Sequence, residues 1–168
     1  MVKPSLSADV LKALAGRRLA TAESLTGGGI GQALTSVSGA SAVFAGGVIS
    51  YTNEVKHRVL GVPMEILDTC GAVSEECARA MAEGARKLTG ADIAVSVTGV
   101  AGPDPDERGV GVGIVYIGLA TPEETFCRPI DLGKRRRDRI QDLATNHAFD
   151  VVRRYLTGLP VIVKKTVV

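Results

Sequence analysis

The stretch TAESLTGGGIGQAL, residues 21–34, decides how this chain folds. Residues 18–22 read as a short, mainly apolar strand, and apolar side chains return at helical spacing from Ile30 onward. Between them lies the serine turn (residues 24–28), which carries two hydroxyls and two glycines. Backbone N–H groups at a helix start favour an anion or a developing negative charge. The stretch therefore predicts an anion site beside Ser24, whose hydroxyl can act as a nucleophile.

Length and composition indicate one globular domain. The chain has 168 residues, enough to bury a core, and its 45% hydrophobic and 23% charged residues are ordinary for a soluble protein. We expect a single domain over residues 1–160 and a loose tail over residues 161–168. The net charge of +2 does not by itself argue for nucleic acid.

Cysteine usage and hydropathy indicate the compartment. Cys70, Cys77 and Cys127 lack metal-ligand spacing and leave an odd thiol, which favours reduced thiols in a cytosolic protein. No apolar run approaches the roughly 18 residues of a membrane span. The sequence therefore predicts a soluble, cytoplasmic protein with no membrane partner, no metal and no cofactor.

The order of helix and strand patterns predicts an α/β fold. Strand patterns occupy residues 18–22, 43–51, 91–97, 110–119 and 125–132. The third is nearly all apolar, which is typical of a strand buried on both faces. The last two are close enough for an antiparallel hairpin. The whole order predicts a three-layer α/β/α sandwich with a mixed, mostly parallel sheet of about five strands.

The glycines of the serine turn fit none of the common phosphate or nucleophile motifs. Neither the dinucleotide pattern Gly-x-Gly-x-x-Gly nor the phosphate loop Gly-x-x-x-x-Gly-Lys-Ser/Thr can be laid on them. The nucleophile elbow Gly-x-Ser-x-Gly is missing as well. Ser24 remains open to two interpretations, a cap or phosphate ligand on one side and a nucleophile on the other.

A serine nucleophile needs a base, and neither histidine is convincing. His147 lies on the apolar stripe of the last helix, and His57 reads as a surface residue. Tyr51 and Lys56 are the better candidates, because they follow a strand whose carboxyl end would meet that of the strand before Ser24. A lysine acts as a base when burial depresses its pKa. The alternative for Lys56 is a solvated helix face.

Two further features could bind an anionic ligand. Thr98 and the Gly-Pro turn (residues 99–103) end the buried third strand, although such a turn can also be a simple tight connection. Residues 134–137 read Lys-Arg-Arg-Arg at the start of the last helix, where cations oppose the helix dipole. That placement indicates a bound phosphate or a solvated face. Nucleic acid is not expected, because no aromatic stacking surface accompanies the arginines.

Several motifs together resemble the CinA C-terminal domain family. In chain order they read AESLTGG from residue 22, SYTNEVK from residue 50 and VTGVAGP from residue 97, and the similarity extends from about residue 5 to residue 156. The resemblance implies a nicotinamide-nucleotide amidohydrolase, which converts nicotinamide mononucleotide to nicotinate mononucleotide and ammonia. It also implies a three-layer α/β/α fold. The family's N-terminal molybdopterin-binding-like module has no counterpart in this sequence, so a stand-alone domain is expected.

The resemblance also assigns residues. It implies a catalytic serine, tyrosine and lysine at Ser24, Tyr51 and Lys56. The implied substrate-binding residues are Thr26, Gly27, Gly28, Asn53, Thr98, Gly99, Gly102 and Arg137, with Arg135 and Arg136 competing for the role of Arg137.

This chain departs from the family pattern at two places. It has Leu25 where many members carry Cys, and Asp-Pro-Asp-Glu-Arg at residues 104–108 where several glycines are usual.

These expectations combine into one mechanism. Ser24 attacks the carboxamide, Lys56 and Tyr51 move protons, and N–H groups near Thr26, Gly27 and Gly28 stabilise the oxyanion. Arg137 and the Thr98 turn hold the 5′-phosphate of a small nucleotide. Phe149 lies opposite the apolar stripe of the last helix, which favours a homodimer interface, although a single apolar surface residue is also normal.

Overall fold

The computed structural model describes residues 4–163. The helices are α1 (Pro4–Leu14), α2 (Gly29–Thr35), α3 (Asn53–Leu60), α4 (Met64–Thr69), α5 (Glu75–Thr89) and α6 (Arg137–Leu156). The strands are β1 (Leu19–Glu23), β2 (Phe44–Ile49), β3 (Ile93–Gly99), β4 (Ile114–Ala120) and β5 (Thr125–Asp131).

The strands form one sheet in the order β2-β1-β3-β4-β5. β1 pairs in parallel with both β2 and β3, whereas β4 runs antiparallel to β3 and β5. Four strands therefore point one way and β4 the other, which confirms the predicted mixed, mostly parallel sheet and its hairpin. The carboxyl ends of β1, β2 and β3 meet at one edge, because Glu23 lies opposite Ile49 on one side and Val97 on the other.

Helices cover both faces of the sheet and confirm the three layers. One core cluster joins α1, α2 and α6 to the sheet, and a second joins α3 and α5 to its other face. β3 is buried from Ile93 to Thr98, as its apolar run predicts. Ser74 caps the start of α5 by accepting from the Cys77 N–H, and Gly90, in the left-handed region, caps its end.

Gly47, the second glycine of the pair in β2, has an explanation inside the sheet. Glycines within a strand suggest close approach by a ligand or by another backbone. At Gly47 the approaching residue is Thr21 of β1, since a Cβ there would lie 2.0 Å from Thr21 Oγ1 and 3.0 Å from the Thr21 carbonyl oxygen. Gly47 therefore serves the pairing of β1 with β2.

Two expectations about the surface are wrong. Phe149, expected to be exposed, is fully buried, because α1 packs on α6 and widens its apolar face beyond one stripe. Val161, placed in a loose tail, is 6% exposed and belongs to the core, and its carbonyl accepts from the Arg128 guanidinium. Residues 164–168 of that tail lie outside the described residues, and a homodimer stays a prediction that has lost its argument from Phe149.

No helix within residues 4–163 combines the length and the apolar character needed to cross a membrane.

Candidate active site

A cleft of about 430 Å³ lies at the carboxyl edge of the parallel strands. Ser24 and Leu25 reach it from the end of β1, and Tyr51, Asn53 and Lys56 reach it from the segment after β2. The rest of its lining includes Thr98, the whole Gly-Pro turn, the loop at residues 104–108 and Arg137 at the start of α6. The elements that the sequence linked to chemistry therefore meet at one place, whereas His57 and His147 are outside the lining.

Ser24 and Lys56 form a buried pair in this cleft. The Lys56 Nζ lies 3.1 Å from the Ser24 Oγ, although the residues are 32 positions apart. Ser24 is 8% exposed and Lys56 only 1%. The solvated-face interpretation of Lys56 is therefore wrong, because α3 turns this side chain inward.

Backbone carbonyls fix the orientation of the lysine. The Nζ donates to the Ser50 carbonyl at 2.7 Å and to the Tyr51 carbonyl at 3.4 Å. Both groups can only accept, so a neutral amine would direct its two N–H bonds at them and leave its lone pair for the Ser24 hydroxyl. α3 holds the stem in place, with Thr52 capping its first turn by accepting from the Val55 N–H.

Burial favours that neutral amine. It lowers the pKa of Lys56 below its ordinary value of 10.5, and Cys77 acts in the opposite direction. The Cys77 thiol is itself neutral near pH 7, because burial raises its pKa to about 11. The environment of Lys56 thus favours loss of its proton, as a general base requires.

The Tyr51 side chain is at the mouth of the cleft and not in the buried pair. It is 58% exposed, and its hydroxyl accepts from an Arg137 guanidinium nitrogen at 2.9 Å. Its backbone carbonyl, by contrast, contacts the Lys56 Nζ. Tyr51 therefore reaches the lysine through its main chain, and its hydroxyl belongs with Arg137.

The run of basic residues divides into separate roles. Arg135 donates to the Leu132 carbonyl, and Arg136 pairs with Asp138 at 2.9 Å on the surface. Arg137 alone of the three lines the cleft, where it donates to the Gly102 carbonyl as well as to Tyr51. Of the three competing arginines, Arg137 is thus the one that the fold brings to the cleft.

The other predicted binding residues on this side also line the cleft. Asn53 is exposed at the start of α3, and Thr98 is buried with its hydroxyl donating to the Ala72 carbonyl at 2.7 Å. Gly99 is required for packing, because a Cβ would lie 2.7 Å from the Ile114 carbonyl oxygen of the neighbouring strand. Gly102 contributes its carbonyl to Arg137.

The loop at residues 104–108 is held through Asp106 and Arg108 and forms one wall of the cleft. Asp106 accepts from the Arg108 and Val110 N–H groups. The Arg108 guanidinium donates to the carbonyls of Leu67, Asp68 and Thr69 at the end of α4. The acidic sequence of this loop, with its one proline, is therefore held in place without the glycines usual in the family.

The start of α2, just after the serine turn, differs from the anion site that the sequence predicts there. The Ile30 and Gly31 N–H groups donate to the Glu23 carboxylate at 2.9 and 3.0 Å, so they are not free for a ligand. The Gly27 N–H is also used, since it donates to the Ser24 carbonyl. Thr26, Gly27 and Gly28 are outside the cleft lining. The expected anion site at the start of α2 is therefore filled by the protein's own carboxylate.

Sequence reasoning missed Glu23. A capping-box acid follows its N-cap by three residues, whereas Glu23 comes before the N-cap Gly28 and no spacing rule finds it. The only local signal is a carboxylate that ends an otherwise apolar strand.

No group of three or more His, Cys, Asp or Glu side chains is placed to hold a metal ion within residues 4–163. The polar groups of the cleft are hydroxyls, amides, carboxylates, one buried amine and the guanidinium groups of Arg108 and Arg137, of which Arg108 is held by the carbonyls at the end of α4. They fit an organic anion with a group that the serine can approach.

Fold and cleft together define a three-layer α/β/α protein with a serine-lysine pair at the carboxyl ends of its parallel strands. The chain matches the CinA C-terminal domain over residues 4–156 and belongs to that family. The family membership inferred from the sequence motifs is thus confirmed.

Similar proteins agree with this assignment. A competence-damage inducible relative from Caldanaerobacter subterraneus is 50% identical over 143 residues, which are 85% of this chain and 34% of that protein. A CinA-like protein from Parasynechococcus marenigrum is 46% identical over 155 residues, 90% of this chain and 37% of that protein. The chain therefore spans about a third of the length of these relatives.

Solved structures show the same fold at similar length. A competence damage-inducible protein A from Klebsiella pneumoniae superposes with a TM-score of 0.89 at 33% identity, covering 94% of this chain and 98% of the other. A competence/damage inducible protein from Agrobacterium tumefaciens gives 0.88 at 33% identity, with the same coverage.

Proposed function

We propose that this chain is a nicotinamide-nucleotide amidohydrolase, which hydrolyses the carboxamide of nicotinamide mononucleotide to nicotinate mononucleotide and ammonia in pyridine-nucleotide recycling. The observation that carries the proposal is the buried Lys56 Nζ, 3.1 Å from the Ser24 Oγ at the bottom of the cleft. A buried lysine costs free energy that a simple surface site would not require. The burial is explained if Lys56 is the base that activates Ser24, because burial favours the neutral amine that such a base must be.

The first half of the reaction forms an acyl-enzyme. Ser24 Oγ attacks the carboxamide carbon, and its proton passes to the neutral Lys56 Nζ. The carbon-nitrogen bond then breaks as Lys56 returns the proton to the departing nitrogen, which leaves as ammonia. An ester between Ser24 and the nicotinoyl group remains.

The second half regenerates the serine. Lys56 takes a proton from a water molecule, and the resulting hydroxide attacks the ester carbon. The bond to Ser24 Oγ breaks, Lys56 returns the proton to that oxygen, and nicotinate mononucleotide leaves. The same amine thus acts as base and acid in each half.

Stabilisation of the oxyanion falls to an amide next to the nucleophile. The Leu25 N–H adjoins Ser24 at the cleft and makes no hydrogen bond to any residue within 4–163. An amide donor aimed at a developing oxyanion is commonly worth about 3 kcal/mol in the barrier. Leu25 replaces the helix-start amides that Glu23 occupies.

The phosphate of the nucleotide would be held at the mouth of the cleft. Arg137 uses one terminal nitrogen for Gly102 and the other for Tyr51, and its guanidinium carries five donors in all. A phosphate there would gain charge-assisted hydrogen bonds. Carboxamide and phosphate thus bind at opposite ends, one at Ser24 and the other at Arg137.

The direct test is ammonia release from nicotinamide mononucleotide. We expect the wild-type protein to release it and Ser24→Ala to abolish release while keeping the fold, because the acyl acceptor is gone. Ser5→Ala, at an exposed serine of α1, is the matched control and should keep full activity. Undiminished release by the Ser24→Ala protein would exclude this serine as the nucleophile.

The alternative is a nucleotide-binding module of the same fold without catalysis. Arg137 and the Gly-Pro turn would suffice for such a module, and Lys56 would be dispensable. Substitution of Lys56 separates the two functions, because a binder keeps its affinity and an enzyme loses its turnover.

A further inference from the structure

Glu23 is a buried carboxylate with no role in the mechanism above. Its side chain is 2% exposed, and it forms no salt bridge with any residue in the described part of the chain. A buried carboxylate is tolerated only when hydrogen bonds replace its water. Three donors do so here: the Thr26 hydroxyl at 2.7 Å, the Ile30 N–H at 2.9 Å and the Gly31 N–H at 3.0 Å.

These contacts make Glu23 the cap of a weak helix. α2 has only seven residues, two of which are glycine, and its N-cap Gly28 has no side chain to accept from the first turn. The Glu23 carboxylate replaces that missing cap from the last position of β1. Strand and helix are thus tied together across the serine turn.

The same residue is linked to the lysine through its backbone. The Glu23 carbonyl accepts from the Ser50 N–H at 2.7 Å and from the Ser50 hydroxyl at 3.3 Å. The Ser50 carbonyl in turn accepts from the Lys56 Nζ. The Glu23 carboxylate therefore contacts the turn that carries Ser24, and the Glu23 carbonyl contacts Ser50, the residue that orients Lys56.

We propose that Glu23 is a positioning residue: its buried carboxylate holds the serine turn against α2 and so sets the distance and direction between Ser24 Oγ and Lys56 Nζ. The proposal rests on the serine-lysine mechanism proposed above. It assigns no proton transfer to Glu23, because its three donors occupy it on the helix side of the turn.

The test compares Glu23→Gln with wild type in two assays. Glutamine keeps the size, and its carbonyl can still accept from Thr26 and Ile30, but its NH2 then faces the Gly31 N–H, donor against donor, so the turn should shift. Since a displacement of about 1 Å can cost roughly 100-fold in rate, we expect kcat for ammonia release to fall about 100-fold with KM nearly unchanged. The pH at which kcat/KM reaches half its plateau should not move, because Lys56 stays buried on its two backbone acceptors while only Ser24 shifts.

The second assay does not depend on the substrate. A fluorophosphonate reacts with an activated serine: Ser24 Oγ forms the bond to phosphorus, fluoride leaves, and the proton passes to Lys56. Labelling followed by intact mass should slow in Glu23→Gln by a factor similar to that in kcat. Labelling of a wild-type protein that releases no ammonia would refute the proposed substrate while still testing Glu23.

A control separates positioning from general loss of stability. Ile117→Val truncates a fully buried side chain of β4 away from the cleft and should lower the unfolding temperature while leaving kcat and labelling unchanged. Equal losses of rate in Ile117→Val and Glu23→Gln would overturn the proposal, as would a kcat for Glu23→Gln within about threefold of wild type.

A milder variant covers the case in which Glu23→Gln does not fold. Thr26→Val removes one of the three donors and keeps the β-branched shape, so it should lower kcat and labelling in the same direction by a smaller factor. Wild-type rates in Thr26→Val together with an unfolded Glu23→Gln would reduce Glu23 to a purely structural residue. A wild-type protein that neither labels nor turns over would overturn both this proposal and the mechanism beneath it.

Discussion

The serine turn and the Gly-Pro turn look alike in sequence and differ in what they offer the cleft. Both follow a buried parallel strand and both are built from small residues. The serine turn is fixed by the Gly27 N–H, which donates to the Ser24 carbonyl, and by the Thr26 hydroxyl, which donates to Glu23. The first amides of α2 also donate to Glu23, and only Ser24 and Leu25 of the turn line the cleft. The Gly-Pro turn lines the cleft along its whole length and gives the Gly102 carbonyl to Arg137.

The difference separates chemistry from binding. A turn that is fixed by internal hydrogen bonds holds a nucleophile in one position relative to its base. A turn whose surface stays open provides a wall and an anchor for the substrate. Changes on the serine side should therefore act on kcat, and changes on the Gly-Pro side should act on KM.

The largest effect is expected at the base. Lys56→Arg keeps a positive charge but cannot lose its proton near neutral pH, so it should lower kcat by about 10⁴-fold or more. Binding of nicotinamide mononucleotide, measured by calorimetry on this inactive variant, should remain within a few-fold of that of Ser24→Ala. For wild type, kcat/KM should rise with pH up to the Lys56 pKa, which burial places below 10.5. A Lys56→Arg protein that still hydrolyses nicotinamide mononucleotide would contradict the assignment of chemistry to the serine side and of binding to the Gly-Pro side.

A smaller effect is expected at the anchor of the Gly-Pro turn. Arg137→Ala removes the charge-assisted hydrogen bonds to phosphate, each worth about 1.5–3 kcal/mol, so KM should rise about 10- to 100-fold with little change in kcat. Arg136→Ala is the matched control, because Arg136 pairs with Asp138 on the surface. Equal effects of the two substitutions on KM would place the phosphate elsewhere.

The smallest effect concerns stability and pH. The folded state depresses the pKa of Lys56, so between that pKa and 10.5 the unfolded chain binds more protons than the folded one. The free energy of unfolding of wild type, compared with that of Lys56→Met, should therefore increase as pH rises through this window. Urea titrations of both proteins at several pH values measure the difference. A difference in the free energy of unfolding that stays constant with pH would show that folding does not lower the pKa of Lys56.

The fold could be predicted because its signals are local. The apolar run of β3 and the short gap between β4 and β5 each follow from neighbouring residues. The exposure expected for Phe149 is wrong, because the apolar pattern of one helix does not predict which second helix packs against it. Val161 was misjudged for the same kind of reason, since the arginine that binds its carbonyl comes from a distant strand.

The sequence predicted several residues that the structure brings to one cleft, but it did not predict their geometry. The motifs around Ser24, Lys56 and Arg137 indicated which residues matter, and all three line one cleft. The Tyr51 hydroxyl accepts a hydrogen bond from Arg137 at the start of α6, 86 positions further along the chain. This contact depends on where the fold places α6, so the sequence did not predict it. The contact of Glu23 with α2 likewise follows from how β1 enters the serine turn.

The stretch at residues 21–34 by itself determined that a strand passes through a small-residue turn into a helix and that a serine stands at the strand end. Tertiary structure alone decided that the Glu23 carboxylate would occupy the start of α2. It also decided that Lys56 would be buried against Ser24, from which it is 32 positions away in the chain. The reason is physical. Apolar periodicity records only the side of an element that avoids water, whereas a hydrogen bond between distant groups depends on where the sheet brings their strands together.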